Sequence, residues 1–101
     1  MTNKYDEHHR DSFVDRLGRV NFDLRTGDNV INKNTGARGV IVLWQSLSQV
    51  LNRHDEASVA EFLERIRGEY DDINEYRLYF VMTNDLTAEI ERGDIEPDNP
   101  S

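Results

Sequence analysis

The sequence predicts an α+β domain: a small, bent antiparallel sheet that carries a helical insertion at about residues 46–69. Three observations lead there. β-branched runs flank an Asn/Gly-rich turn within 27–43, apolar residues recur at helical spacing through 46–70, and strand-like alternation returns at 76–82.

The elements follow in order. Residues 1–10 are polar, contain His8-His9 and offer only Tyr5 for burial, so they read as a flexible tail. A single domain then spans 11–96. Phe13, Val14 and Leu17 form a short helical stripe ended by Gly18. Val20, Phe22 and Leu24 alternate with Asn21, Asp23 and Arg25, which is the period of a strand. One helix, or a helix followed by a strand, both fit 11–24, and either adds to one edge of the sheet.

Val30-Ile31 and Val40-Ile41-Val42 are two β-branched runs separated by Asn34-Thr35-Gly36, whose Asn and Gly tolerate positive φ; this is a hairpin. Gly39, at the mouth of the second run, suits a bulge or a close backbone approach. Leu47, Val50 and Leu51 then start the helical pattern, and Asp55 can cap a second helix. Val59, Phe62, Leu63, Ile66 and Tyr70 lie on one face of it, with Glu61, Glu64, Arg65 and Arg67 on the other and Glu61–Arg65 spaced for a pair. Gly68 loosens its end. Trp44 sits where the β pattern hands over to the helical one and is expected in the core.

Tyr76, Leu78, Phe80 and Met82 share one face of the next strand, and Arg77, Tyr79 and Val81 share the other. Both faces are apolar, as expected where a helix covers one side and a sheet core the other. One long helix over 73–92 is the competing reading; the β propensity of Tyr79-Phe80-Val81 and the Thr83-Asn84-Asp85 turn favour two strands. Residues 97–101 read as a second tail. The alternative for the whole chain is a mostly helical bundle with one β-hairpin.

The string Gly27-Asp28-x-Val30…Thr35-Gly36-x-x-Gly39-x-Ile41 resembles the opening hairpin of SH3-like small barrels. Such openings occur in KOW and Tudor-type modules and in the HspQ-like family. The run Tyr76–Met82, then Leu86–Glu91, then Asp94-Ile95-Glu96-Pro97, is similar to their closing strands. The resemblance covers about half the chain, in two pieces. It implies an SH3-like sheet or partial barrel, and an HspQ-like member would act near protein quality control or hemimethylated DNA. The chain departs from the pattern in its long helical middle and in a charge unlike that of a nucleic-acid-binding KOW module.

With 101 residues, 37% of them apolar and 32% charged, the chain holds one modest core. The absence of cysteine excludes a disulfide framework, thiolate chemistry and cysteine-ligated metal. No apolar run is long enough to span a bilayer and no signal-like segment opens the chain, so the expected location is the cytoplasm, with no membrane partner.

The net charge of −8 is uneven. Residues 1–54 hold eight Lys/Arg against six Asp/Glu, while residues 55–101 hold four Arg against fourteen Asp/Glu. An acidic half keeps a small protein soluble. It also suits a protein partner with a basic surface, and Glu61, Glu64, Asp71, Asp72, Glu75, Glu89 and Glu91 are the candidate contacts. The alternative is nucleic-acid binding through Arg25, Lys33 and Arg38 on the first hairpin, with Trp44 and Tyr79 as stacking surfaces; the net charge disfavours it.

Nothing in the sequence calls for a metal or cofactor. His8-His9 adjoin, His54 stands alone beside Asp55, and Asp71-Asp72…Asn74-Glu75 lacks the spacing and central Gly of a calcium loop. Ser46, Ser48 and Ser58 lie in no nucleophile elbow, and Gly36-x-x-Gly39 lacks the Lys-Ser/Thr ending of a phosphate loop. An unrecognised carboxylate pair among twenty acidic residues stays open. The reading is therefore a non-catalytic protein-binding or regulatory module of accessory, adaptor or inhibitor type. A homodimer is a further expectation, because Trp44, Tyr70, Tyr76 and Tyr79 together overfill so small a core, and a leftover aromatic patch would mark an interface.

Overall fold

The computed structural model describes residues 12–98. Tyr5 and His8-His9, in the first expected tail, and residues 99–101 of the second lie outside the described residues.

β1 (Ser12–Val14) and β2 (Val20–Phe22) form an antiparallel hairpin with Val14 opposite Val20. The helical stripe expected at Phe13–Leu17 is therefore a strand and a turn. The cause is Asp15, whose carboxylate accepts hydrogen bonds from the N–H groups of Leu17 and Arg19, both at 3.0 Å. Local bonds of this kind compete with the helical ladder, and Gly18 takes φ +79° to finish the turn.

β3 (Asn29–Asn32) and β4 (Arg38–Ser46) form the expected second hairpin. Two helices follow, α1 (Leu47–Leu51) and α2 (Glu56–Glu69). A capping box of Ser46 and Gln49 starts α1, and the Asp55 carboxylate accepts from Ser58 N–H at 2.8 Å to start α2. A 3-10 turn (Ile73–Glu75) leads to β5 (Arg77–Thr83) and β6 (Leu86–Glu91). Asn84 and Asp85 join these strands at φ 45° and 71°. Both central residues of such a two-residue hairpin loop need positive φ, so 73–92 is not one helix. A second 3-10 turn (Arg92–Asp94) feeds β7 (Ile95–Pro97), which returns to pair with β3. The strand extends the folded domain through Pro97, and Asp98 N–H still donates to Asn29 O at 2.8 Å.

The larger sheet has five strands, in the order β6-β5-β4-β3-β7, all pairs antiparallel. It is open, with β6 and β7 as its edges. The domain is mixed α+β with strands dominant, and the helical-bundle alternative is excluded. A bulge inserts Val42 between Ile41 and Leu43 of β4. At Gly39 the sequence feature is the close approach instead: a Cβ there would lie 2.6 Å from Met82 O and 2.5 Å from Thr83 Cγ2.

β5 divides two cores by its alternation. Tyr79 and Val81 pack with Leu24, Val30, Ile41, Ile90 and Ile95. Leu78, with Phe80 partly buried beside it, packs with Tyr76, Tyr70, Ile66, Val50 and Leu47 beneath the helices. This two-core arrangement accommodates the tyrosines: Tyr70, Tyr76 and Tyr79 are all buried. Tyr70 and Phe62 both meet the Tyr76 ring edge-on, at 5.8 and 5.5 Å. The expectation that these rings overfill the core is corrected for the three tyrosines. Trp44, expected inside, is 37% exposed. The position opposite it on β5 is taken by buried Tyr79, and the Arg77 guanidinium covers the indole at 4.4 Å from the ring centre.

Candidate functional site

The register of β5 on β6 sets Leu78 opposite Glu91, Phe80 opposite Glu89 and Met82 opposite Thr87. These side chains share the face on which the helices lie. Val50 of α1, Phe62 of α2, Tyr76 and Leu78 make the apolar floor of a shallow groove there, and Arg53, His54, Glu89 and Glu91 form its rim. The His54 ring stacks on Phe62 at 5.1 Å. On the other side of that stack a second shallow groove is bordered by Ser58, Glu61 and Arg65.

Charge is distributed unequally around this face. Glu91 accepts from both terminal nitrogens of Arg65 and from the Tyr76 hydroxyl at 2.8 Å. Burial first, and the Glu91 charge second, push the Tyr76 phenol well above its ordinary pKa. The bond to Glu91, outweighing burial, raises that of Arg65. Arg65 also donates to Glu69 at 2.9 Å and covers the Phe62 ring at 5.0 Å. The Glu61–Arg65 pair expected from spacing does not form, because Glu69 and Glu91 hold the guanidinium. Glu61 thus makes no ion pair among the described residues. Glu89 meets Arg53 at 3.2 Å, with both side chains about half exposed.

Of the seven acidic candidates, Glu89 and Glu91 line the first groove and Glu61 borders the second, the two grooves sharing His54 and Phe62. Glu64 is exposed on α2 outside both grooves. Asp71 pairs with Arg16 at 2.8 Å, Asp72 caps the 3-10 turn through Asn74 N–H at 2.9 Å, and Glu75 is half-buried, its backbone carbonyl accepting from Arg92 at 2.7 Å. Arg25 and Lys33 flank opposite ends of β3. The Lys33 ammonium donates to Val20 O at 2.9 Å, and Arg38 faces Asp98 at 3.8 Å. Tyr79 is fully buried and presents no stacking surface.

Sequence reasoning missed the groove itself, since Arg53, His54 and Phe62 meet Glu89 only through the sheet register. It also missed that the helices cover only part of their sheet face. Val40, Leu43 and Met82 remain 38%, 46% and 47% exposed, with Val40 opposite Met82 and Leu43 opposite Phe80. The apolar alternation of β5 was the available signal; the bulge at Val42 that sets β4 against it was not legible.

No protein-family model, characterised protein or solved structure matches the chain. Among the described residues no three His, Asp or Glu side chains converge as metal ligands would, and no helix is long and apolar enough to cross a membrane.

Proposed function

We propose that the chain is a non-catalytic protein-binding module, of accessory, adaptor or inhibitor type, which takes a basic partner on the face formed by α2 and β6. The observation that carries this reading is the position of Glu89 beside a floor of Phe62, Tyr76 and Leu78, with Glu61 on the neighbouring groove that shares His54 and Phe62. Carboxylates attract and orient lysine or arginine heads, while apolar and aromatic surface accepts their aliphatic stems. The exposed Arg53–Glu89 pair contributes only about 0.5 kcal/mol, so a ligand's cation can take the place of Arg53 at little cost. The exposed apolar row of Val40, Leu43 and Met82 continues the same sheet face and supports a macromolecular partner.

We read the larger sheet as an opened SH3-like barrel. Support comes from its strand order and from the return of β7 to β3 after a 3-10 turn, while the helices between the second and third strands of the meander are a departure from that pattern.

Fluorescence anisotropy tests the function. A labelled lysine-rich peptide should bind and weaken with added salt, while a glutamate-rich peptide and a DNA duplex should not bind. Absence of peptide binding at low salt overturns the reading. Duplex binding abolished by Arg38→Glu would replace it with the nucleic-acid alternative.

A further inference from the structure

We propose that β6 is a strand-accepting edge, which adds an extended partner segment whose alternate residues are basic on one face and apolar on the other. The inference rests on the basic-partner reading above and gives that partner a conformation and a sequence pattern.

The two edges of the sheet differ. β7 has three residues and ends at Pro97, which has no N–H to offer. Edge strands are ordinarily blunted in this way, by charged side chains, by bulges or by a covering element, and the charges on β6, Glu89 and Glu91, oppose an acidic strand but not a basic one. β6 has six residues with no proline, lysine or arginine, and it pairs with β5 in six consecutive positions without a bulge. Its only strand partner among the described residues is β5. Leu86 is 72% exposed, and Thr87, Ala88 and Glu89 are exposed beside it. A long, regular, exposed edge with an apolar end is a template for another strand.

The register states what that strand must carry. Thr87, Glu89 and Glu91 share the helix-side face with Met82, Phe80 and Leu78, while Leu86, Ala88 and Ile90 share the opposite face with Thr83, Val81 and Tyr79. A strand added to β6 continues both faces. Its residues on the first face lie beside Glu89, whose partner Arg53 is exposed, and Glu91, which Arg65 already holds, and those on the second lie beside three apolar side chains. Lysine or arginine alternating with valine or leucine fits both. A second copy of this chain does not fit. Antiparallel self-pairing would set one Glu89–Glu91 row alongside the other on the same face, between chains that each carry −8.

The test uses the full chain and four probes: a short capped peptide of alternating lysine and valine, one of equal composition with its lysines and valines in blocks, and two versions of the alternating peptide with backbone N-methyl groups on all valines or on all lysines. In an extended strand the valine N–H groups point to one edge and the lysine N–H groups to the other, so only one methylated set should lose binding. The alternating peptide should bind at least about tenfold tighter than the block peptide, and one methylated set should lose at least about tenfold. Amide exchange at 86–91 should slow on binding. Leu86→Lys, on an exposed side chain, should weaken the alternating peptide by about tenfold with unchanged circular dichroism. Equal binding of all peptides with unchanged exchange at 86–91 overturns the strand edge and leaves the charge-based reading standing. Absence of binding by any peptide overturns both. Protection of 86–91 in the free chain with a concentration-dependent mass means that a second copy holds the edge, and overturns the proposal.

Discussion

The Arg19 guanidinium donates to Glu69 Oε1 at 2.7 Å, joining the β1–β2 turn to the last residue of α2 across fifty residues of sequence. Arg19 also donates to Asp15 at 2.8 Å and reaches Asp94 at 3.3 Å. Glu69 passes the contact to Arg65, and Arg65 to Glu91 on β6. The network therefore ties the N-terminal hairpin, through α2, to the strand that borders the candidate site.

The acid response of the fold should follow from Asp15. Its burial disfavours the charged carboxylate, but hydrogen bonds from Arg19 N–H, Asn21 and the Arg19 guanidinium outweigh this and hold its pKa below the ordinary carboxylate value of 3.8. A group depressed in the folded state contributes stability above its unfolded pKa and loses it as pH falls through the lower folded value. Urea midpoints should thus hold near neutrality and fall below about pH 4. Asp15→Asn exchanges one acceptor oxygen for a donor that faces other donors, and should cost about 3 kcal/mol at pH 7 while flattening part of the acid loss. Urea titrations of both proteins at pH 3 and pH 7 check this.

The alkaline limit should be set by two buried phenols. Burial, as the largest cause, pushes Tyr70 up to about 12, and burial together with the Glu91 charge pushes Tyr76 higher still. Groups raised in the folded state contribute stability that is complete below the unfolded pKa, near 10, and is lost as pH rises through the folded values. Unfolding followed by circular dichroism should begin above about pH 10 and coincide with the late part of the tyrosinate absorbance. Tyr76→Phe removes one of these phenols and should shift the onset upward. An onset unaffected by the substitution would mean that other groups set the limit.

The elements legible in sequence were those whose determinants are local. Asn84-Asp85 and Gly36 mark their turns, Asp55 caps α2, and the alternation of β5 assigns Leu78 and Tyr79 to different cores. The misread stretch was Phe13–Leu17, where apolar spacing matched a helix but Asp15 bonded its own backbone neighbours. Glu61 and Glu89 were legible only as acidic residues. Glu61 adjoins Phe62 on α2, but bringing Glu89 to the same aromatic surface depends on a helix docking against a strand far along the chain, and no local pattern encodes that. Trp44 was misplaced as well: its indole is 37% exposed beneath the Arg77 guanidinium, a neighbour that only the strand register brings to it.

Gly39 provides a direct check on the sheet register. A methyl group there would meet Met82 O at 2.6 Å and Val81 Cγ1 at 2.6 Å. The carbonyl belongs to the β5 backbone and cannot rotate away, so β4 and β5 must separate locally. Gly39→Ala should destabilise the domain by about 3 kcal/mol, at the upper end of ordinary overpacking. Gly68→Ala, where the added carbon meets nothing within 4 Å beyond its chain neighbours and its own helix backbone, should instead stabilise α2 by about 0.5–1 kcal/mol. Denaturant midpoints of the two variants should move in opposite directions.

Charge reversal separates a defined site from diffuse attraction. Glu61 lies on the rim and makes no ion pair among the described residues, and Glu89 holds only the exposed Arg53. Glu61→Lys and Glu89→Lys should leave stability within about 0.5 kcal/mol, as for most exposed positions. Each should weaken a lysine-rich peptide by about fivefold, corresponding to about 1 kcal/mol of lost and reversed pairing, and should make its affinity less dependent on salt. Glu64→Lys changes the net charge equally but lies on α2 outside both grooves. It should alter affinity by no more than about twofold, because its carboxylate lines neither groove and makes no direct contact with the bound cation, although it lies within one helical turn of Glu61. If Glu64→Lys weakens binding as much as the other two, the peptide senses the acidic half as a whole, and the groove between α2 and β6 is not the site.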